Sequence, residues 1–374
     1  MDTLQRKNAI SIDPVQLPLS EYLFRSTPES PVFGAIRDTS PDGWGRHLLD
    51  KAAEPQSPGE FEYLTALPVE DRIGALGFGN SLKQGPGPIN PGWSNYPPCG
   101  AELDLTNMIK AVDQIEDEKN ISPEYSRFLI RGSSLGGAQP KAPVKYEGKI
   151  WLTKFSRKYD AWSTCRIENA NLHLAGICGL IVPESKTVTV AGRDIFLISR
   201  FDRDKKGGRI PFISAATLLG TDKIEKGTYQ DIAVQMRKYC ASSYVHEDLK
   251  ELYRRMVFNV LCNNTDDHLR NHGFIYFSGA GWRLSPAYDI VPQPDMGDED
   301  TRLLTLGVGI DGSRKATLKN VLSSCGVFGV HREEGEKIID QMKKKFLTKW
   351  EQVYLKYHVP KKTLEDLLKP LWII

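Results

Sequence analysis

The run Asn264-Thr265-Asp266-Asp267-His268-Leu269-Arg270-Asn271, followed downstream by Ala287-Tyr288-Asp289-Ile290, supplies an acid, an amide five residues later and a second acid beyond a short strand pair. That order suits phosphoryl transfer, which asks a protein for held phosphates, cations against spreading charge and an aligned nucleophile rather than for covalent chemistry. Asp266 can orient and deprotonate an attacking hydroxyl. Asn271 and Asp289 offer the oxygen ligands that Mg²⁺ takes in octahedral geometry. Asp267 is a rival for either acid role, and the spacing of five to Asn271 favours Asp266. His268 can touch a nucleotide or fix the loop through hydrogen bonds. Capping or turn formation is the plain alternative for the acids, and the succession helix, Asp, Asn, hairpin, Asp weighs against it. A zinc site from Cys262, His268 and His272 has histidines four apart, as one helical face requires. It lacks the Glu of a His-Glu-x-x-His motif, and the aspartates fit magnesium better.

A second chemistry-bearing stretch lies earlier, at Gly132-Ser-Ser-Leu-Gly-Gly-Ala-Gln-Pro-Lys141. Glycines let backbone amides approach phosphates closely. The stretch is not a Walker loop, because no Gly-Lys-Ser/Thr follows it, and a plain Ser-Gly turn is the bland reading. Its value comes from its place just before a hairpin whose second strand carries Lys154. A lysine there can reach phosphate oxygens as a point charge, or be a solvated strand lysine. Glu168, on the next helix, can hold that lysine by an ion pair or be an ordinary first-turn acid.

The elements that must position these residues are legible in the pattern. Lys141–Tyr146 and Lys149–Phe155 read as a hairpin turning at Glu147-Gly148, and 187–191 with 195–201 as a second pair around Gly192-Arg193. Helices are expected over 105–118, 167–178 and 332–357. Leu249, Leu252, Met256, Val257, Val260 and Leu261 recur at helical spacing and run into the Asp266 motif. Gly273–Phe277 and Trp282–Leu284 form a further hairpin. The polar run 202–209 reads as a connection between lobes. Residues 1–100 are the least regular, rich in Pro and Gly between 84 and 100. The fold class expected is α+β, with a β-rich N-terminal lobe over 1–205 and a mainly helical C-terminal lobe over 206–374.

Composition sets the bounds. A chain of 374 residues, 40% hydrophobic and 26% charged, holds enough apolar material for two packed lobes. A net charge of +2 gives no bulk electrostatic reason to bind nucleic acid. Six cysteines without a Cys-x-x-Cys fit reduced thiols and a cytoplasmic location. The first residues lack an apolar signal core, and no apolar run reaches the length of a membrane span. The basic run Lys343–Lys345 is more simply a solvated helix face than a DNA contact.

Several separated stretches resemble the HipA family of serine/threonine kinase toxins: residues 41–46 (PDGWGR), 72–76 (RIGAL), 134–141 (SLGGAQPK), 200–203 (RFDR), 258–261 (FNVL), 264–271 and 284–290 (LSPAYDI). The resemblance implies a bilobal fold distantly like protein kinases, with ATP and Mg²⁺ as cofactors. It implies Asp266 as catalytic aspartate, Asn271 and Asp289 as metal ligands, and Lys154 as the nucleotide-phosphate lysine. Gly136, Gly137, Ala138, Gln139 and Lys141 match the phosphate-side loop, and His268 and Tyr288 residues lining the nucleotide. The segment Ser199 to Phe201 matches the hinge, with Ser199 where an acidic residue often stands. Ser134 matches a loop serine that family members autophosphorylate, and Ser133 beside it leaves the modified position open. The resemblance further implies a protein substrate among translation components such as an aminoacyl-tRNA synthetase. It also implies a HipB-like helix-turn-helix antitoxin, through which alone DNA would be met. The alternatives are a non-toxic HipA-like housekeeping kinase, or a nucleotide-binding regulatory module acting with a DNA-binding partner. The region before the Gly-rich loop looks shorter than in full-length relatives.

Overall fold

The computed structural model describes residues 9–28, 30–53, 57–81, 83–86, 105–117, 139–158, 160, 162–294 and 302–368. Ser133, Ser134, Gly136, Gly137 and Ala138 lie outside the described residues. The chain forms two compact units. One gathers Ile36–Cys165 and Glu184–Pro211, the other Met1–Ala35, Arg166–Pro183 and Phe212–Ile374.

The first unit is built on an antiparallel sheet of β1 (Lys141–Tyr146), β2 (Lys149–Phe155), β3 (Ser185–Val190) and β4 (Arg193–Ser199), in the order β1-β2-β4-β3. Both hairpins turn through two residues with positive φ, Glu147 (49°) with Gly148 (76°) and Ala191 (48°) with Gly192 (77°). Such primed turns match the right-handed twist of the strands they join. Because the second turn uses Ala191, β4 begins and ends earlier than the sequence pattern suggests, and Phe201 falls beyond the strand. Two helices, α1 (Gly43–Ala53) and α2 (Leu105–Glu116), supply Leu48, Leu49, Leu105, Met108, Ile109 and Val112 to one cluster with Val144, Trp151, Phe155, Ile195 and Leu197 of the sheet. The spacing of those α2 positions is that of a single apolar stripe.

The polar run after β4 is mixed: residues 204–208 are exposed, whereas Asp202 is bonded inside the protein. Asp202 is 3% exposed and accepts from both Arg200 (Nε 2.9 Å, Nη2 2.7 Å) and Arg203 (Nη1 2.7 Å). Its Oδ2 also takes the backbone N–H of Gly74 at 2.8 Å. The two guanidinium groups donate onward to the carbonyls of Glu70, Asp71 and Arg72, and Arg209 to those of Gly74 and Leu76. The two stretches 72–76 and 200–203, far apart in sequence, are thus one buried network, in which three cations satisfy carbonyls that no strand pairs. Burial pushes the Asp202 carboxyl up, but Arg200, Arg203 and the Gly74 amide outweigh it and hold the group below the usual carboxylate range.

The second unit centres on α5 (Val245–Cys262), whose Leu249, Leu252, Met256, Val257 and Val260 are fully buried. Around it lie α3 (Thr164–Cys178, within this unit from Arg166), α4 (Tyr229–Tyr239) and α6 (Arg332–Lys356). A small antiparallel sheet orders β5 (Phe212–Ser214), β6 (Gly273–Phe277) and β7 (Gly281–Leu284) side by side. A capping box starts α4: Thr228 accepts from the Asp231 amide at 3.0 Å, and Asp231 accepts from the Thr228 amide at 2.9 Å. Residues 9–35 belong to this unit too. Buried Asp13 accepts the amides of Val15 (3.0 Å), Gln16 (2.8 Å) and Ala35 (3.3 Å), which fastens the irregular segment. No helix among the described residues is long and apolar enough to cross a membrane.

Removing the Asp202 carboxylate leaves buried guanidinium groups uncompensated. Asp202→Ala is expected to cost roughly 3–5 kcal/mol in urea unfolding. Because the folded carboxyl titrates below its unfolded value, its stabilisation is present above the ordinary carboxylate pKa and lost as pH falls through the folded value. The stability gap between parent and variant should therefore narrow in acid and stay constant at neutral pH.

Candidate active site

The Asp266 motif is positioned by the way α5 stops. Asn263 caps the helix in left-handed conformation (φ 56°), its N–H returning to Asn259 O, and the Asn264 N–H reaches the same carbonyl at 3.0 Å. Asparagine is among the few side chains that enter this region at little cost. Asn263 then forms a reciprocal pair with Gln293: Nδ2 donates to Gln293 O at 2.7 Å, and Gln293 N donates to Asn263 O at 3.0 Å. That pair closes the chain from 263 to 293 into a loop holding Asp266, Asn271 and Asp289.

Within the loop the two adjacent acids part company. Asp266 is exposed, whereas Asp267 is 3% exposed and occupied by Tyr229 and His272. The acid available to a substrate is therefore Asp266. Asn271 turns its amide N–H to Asp266 O at 3.2 Å, which leaves the amide oxygen as its ligand-type atom. Asp289 stands at φ 58°, another left-handed non-glycine, of the kind that clusters at functional sites. It is pinned on both sides. Tyr288 Oη donates to Arg270 O at 2.7 Å, and Asn171 Nδ2 of α3 donates to Ile290 O at 2.9 Å. Tyr288 thus ties the two motifs to each other. Burial lifts the Asp266 carboxyl above the usual carboxylate range; half-buried His268 pulls it down, and the like charges of Asp289, Asp267 and Glu225 push it up again. A raised carboxyl among three acidic neighbours is the kind of perturbed group that clusters at functional sites.

For a metal, the donor set is an amide oxygen and a carboxylate, with a second carboxylate alongside. Mg²⁺ is commonly held by one or two carboxylates and completes its octahedron with water and substrate phosphates, so the residues fit. Among the described residues no group of three or more His, Cys, Asp or Glu is arranged to hold a metal ion. The components of a zinc site have other roles or states: His272 is bonded to Asp267, and burial pushes the Cys262 thiol up to about 12.

The first unit holds the expected phosphate-side residues. Lys141 and Lys154 are register partners across β1 and β2, and both are buried, at 5% and 6% exposure. Directly opposed residues share one face of a sheet, and like charges there are unfavourable by themselves. Gln139 enters β1 with Nε2 donating to Phe155 O at 3.1 Å. Ser199 ends β4 with its N–H on Glu184 O at 2.8 Å, and Phe201 follows half-buried. Glu168 is buried on α3.

Sequence reasoning passed over Asn263, Gln293, Tyr229, Asn171 and Thr305. Thr305 donates through both N–H (3.1 Å) and hydroxyl (2.8 Å) to Thr265 O, and Gly307 bonds the backbone of Gly227 and Tyr229. A segment after residue 302 therefore braces the motif from below. None of these residues stands at a spacing that announces its partner.

Comparison with known proteins agrees with this architecture. A family model described as the HipA-like C-terminal domain matches residues 133–350, more than half of the chain. A protein of Haemophilus influenzae named "Putative kinase" is 27% identical over 219 residues, covering 49% of this chain and 63% of that protein. "Putative kinase Y4dM" of Sinorhizobium fredii is 30% identical over 218 residues, covering 50% of this chain and 52% of its own length. The match thus spans less than two thirds of either relative. Among solved structures, a chain of the Shewanella oneidensis MR-1 toxin–antitoxin complex of HipA, HipB and operator DNA superposes with a TM-score of 0.63 at 17% identity, over 90% of this chain and 82% of that one. The shared α+β fold and the family match over residues 133–350 lead to one conclusion: the chain belongs to the HipA-like C-terminal domain family.

Proposed function

We propose that this protein is an ATP- and Mg²⁺-dependent serine/threonine protein kinase and the toxin of a bacterial toxin–antitoxin pair. The observation that carries the reading is the division of labour between neighbours: Asp267 is buried and engaged, while Asp266 faces outward beside Asn271 and Asp289. The kinase names of both relatives support the coarser half of it.

In this reading Asp266 accepts the proton of the attacking serine or threonine hydroxyl as the oxygen bonds to the γ-phosphorus and the bond to the β-phosphate oxygen breaks. Burial and the neighbouring acids raise its carboxyl above the usual carboxylate range, which strengthens it as an acceptor for that proton. Asn271 and Asp289 hold the cation, which when bound neutralises charge spreading over the phosphate oxygens. Lys154 and Lys141 set two ammonium charges toward nucleotide phosphates. His268 and Tyr288 line the nucleotide, and the backbone of Ser199 to Phe201 holds the adenine.

The solved relative carries HipB and operator DNA. By that likeness the partner expected here is a HipB-like antitoxin through which DNA is met; the family resemblance further suggests a helix-turn-helix antitoxin and a translation component such as an aminoacyl-tRNA synthetase as substrate. Phosphorylation of Ser134 would add about two negative charges next to the nucleotide phosphates and limit the activity from within.

Two outcomes check this. Asp266→Asn should lower transfer of labelled phosphate from ATP to itself or to lysate protein by about 10²–10⁴-fold and abolish growth arrest on expression; equal labelling would dismiss the assignment. Ser134→Ala should stay active through prolonged incubation with ATP while the parent declines, and parallel decline would remove Ser134 from the account.

A further inference from the structure

Asp266 does the proposed chemistry, and its neighbour has no part in it. Asp267 is nevertheless built in with care. A carboxylate 3% exposed is costly unless its oxygens are fully bonded. Its Oδ2 accepts from the Tyr229 hydroxyl and from His272 Nε2, the latter at 2.9 Å. Tyr229 is 0% and His272 1% exposed, and their rings meet edge to face at 5.2 Å and 72°. The tyrosine is itself held. Asn259 Nδ2 of α5 donates to its oxygen at 2.8 Å, and Asn264 Nδ2 donates to Asn259 Oδ1 at 3.1 Å. Burial and the Asp267 charge push the Tyr229 phenol well above its ordinary value, so it stays a donor.

The placement of the bridge matters more than its strength. Residues 267 and 272 bracket His268, Leu269, Arg270 and Asn271, with Asp266 just outside one end. Between the anchors lies only a 3₁₀ turn, Leu269–Asn271. Its ties include Asn271 N to His268 O at 2.9 Å, Leu269 N to Ile224 O at 3.0 Å, the Asn271 amide to Asp266 O at 3.2 Å and the Tyr288 hydroxyl to Arg270 O at 2.7 Å. So short a turn does not fix its own span, whereas a carboxylate clasped from α4 and from the far end of the loop does.

We propose that the Tyr229–Asp267–His272 bridge is a positioning clamp that sets the separation of Asp266 from Asn271, and through it the rate of phosphoryl transfer rather than nucleotide affinity. This rests on the kinase reading. A misplacement of about 1 Å at a reacting group can cost on the order of 10²-fold in rate, which is the scale on which the clamp acts. Asp267, Tyr229 and His272 touch no reacting atom; they act through Asp266 and Asn271.

The test compares the full chain with Asp267→Asn, His272→Leu, His272→Gln and Tyr229→Phe. Three quantities are read: kcat and KM for ATP, Mn²⁺ affinity by electron paramagnetic resonance, and thermal midpoint. For Asp267→Asn and His272→Leu, kcat should fall by about 10- to 100-fold with KM for ATP unchanged, and Mn²⁺ affinity should weaken. His272→Gln, which keeps an N–H donor within reach of Asp267, should recover most of both. Folded His272→Leu with parental kcat, a change confined to KM, or a glutamine variant no better than leucine would overturn the clamp. If His272→Leu does not fold, Tyr229→Phe decides, since it deletes one hydroxyl and no volume; parental kcat there overturns the proposal. If the parent itself transfers no phosphate, the kinase reading fails, and Mn²⁺ affinity alone judges the clamp: equal affinity in parent and His272→Leu rejects it.

Discussion

A charge buried at Asp267 constrains everything around it. An ionised carboxylate in a dry interior is tolerated only where donors meet it, and here the donors come from α4 and from the residue after Asn271. Once Asp267 points inward, the backbone carries Asp266 outward on its other side. The stop of α5 at Asn263 and the reciprocal Asn263–Gln293 pair then return Asp289 to the same neighbourhood. Asp266, Asp267 and Asp289 become one electrostatic group: burial lifts the Asp266 carboxyl most, and the like charges of Asp289 and Asp267 lift it further. Asp267 is held through its own carboxylate, and the backbone on either side of it carries Asp266 into place.

The strand-rich unit solves a different problem by the same means. Asp202 draws Arg200, Arg203 and the Gly74 amide onto one carboxylate, and the guanidinium groups satisfy carbonyls of 70–72. That network fixes the chain where β4 ends at Ser199 and Phe201 follows. The same unit keeps two lysines opposed on β1 and β2. One charge cluster is bonded inside the protein; in the other, two buried lysines stand opposite each other across a strand pair.

The parts that could be read from the chain were those whose cause is local. The first hairpin of the larger sheet follows from Glu147-Gly148, and α5 from the spacing of its apolar residues. The register of the second hairpin escaped because Ala191 takes a conformation that few alanines do. Asp202 looked like linker polarity because its partner amide is at Gly74, 128 residues away. The spacing to Asn271 favours Asp266 over Asp267 in the sequence, but the burial of Asp267 depends on partners, such as Tyr229 38 residues earlier, that no spacing announces. The bracing by Thr305 and Gly307 is a backbone matter with almost no side-chain signature. The Gly-rich stretch that prompted the nucleotide reading remains a sequence inference, since 132–138 fall outside the described residues.

The central claim, that Asn271 and Asp289 hold the cation while Asp266 faces the acceptor, is tested most directly by diffraction. The crystals would contain the protein with Mn²⁺ and a non-hydrolysable ATP analogue. The account requires an anomalous peak bonded to the Asn271 amide oxygen and an Asp289 carboxylate oxygen, with Asp266 outside the coordination sphere and Asp267 still bonded to Tyr229 and His272. A metal bound by Asp267, or nucleotide phosphates whose metal touches neither Asn271 nor Asp289, would contradict it.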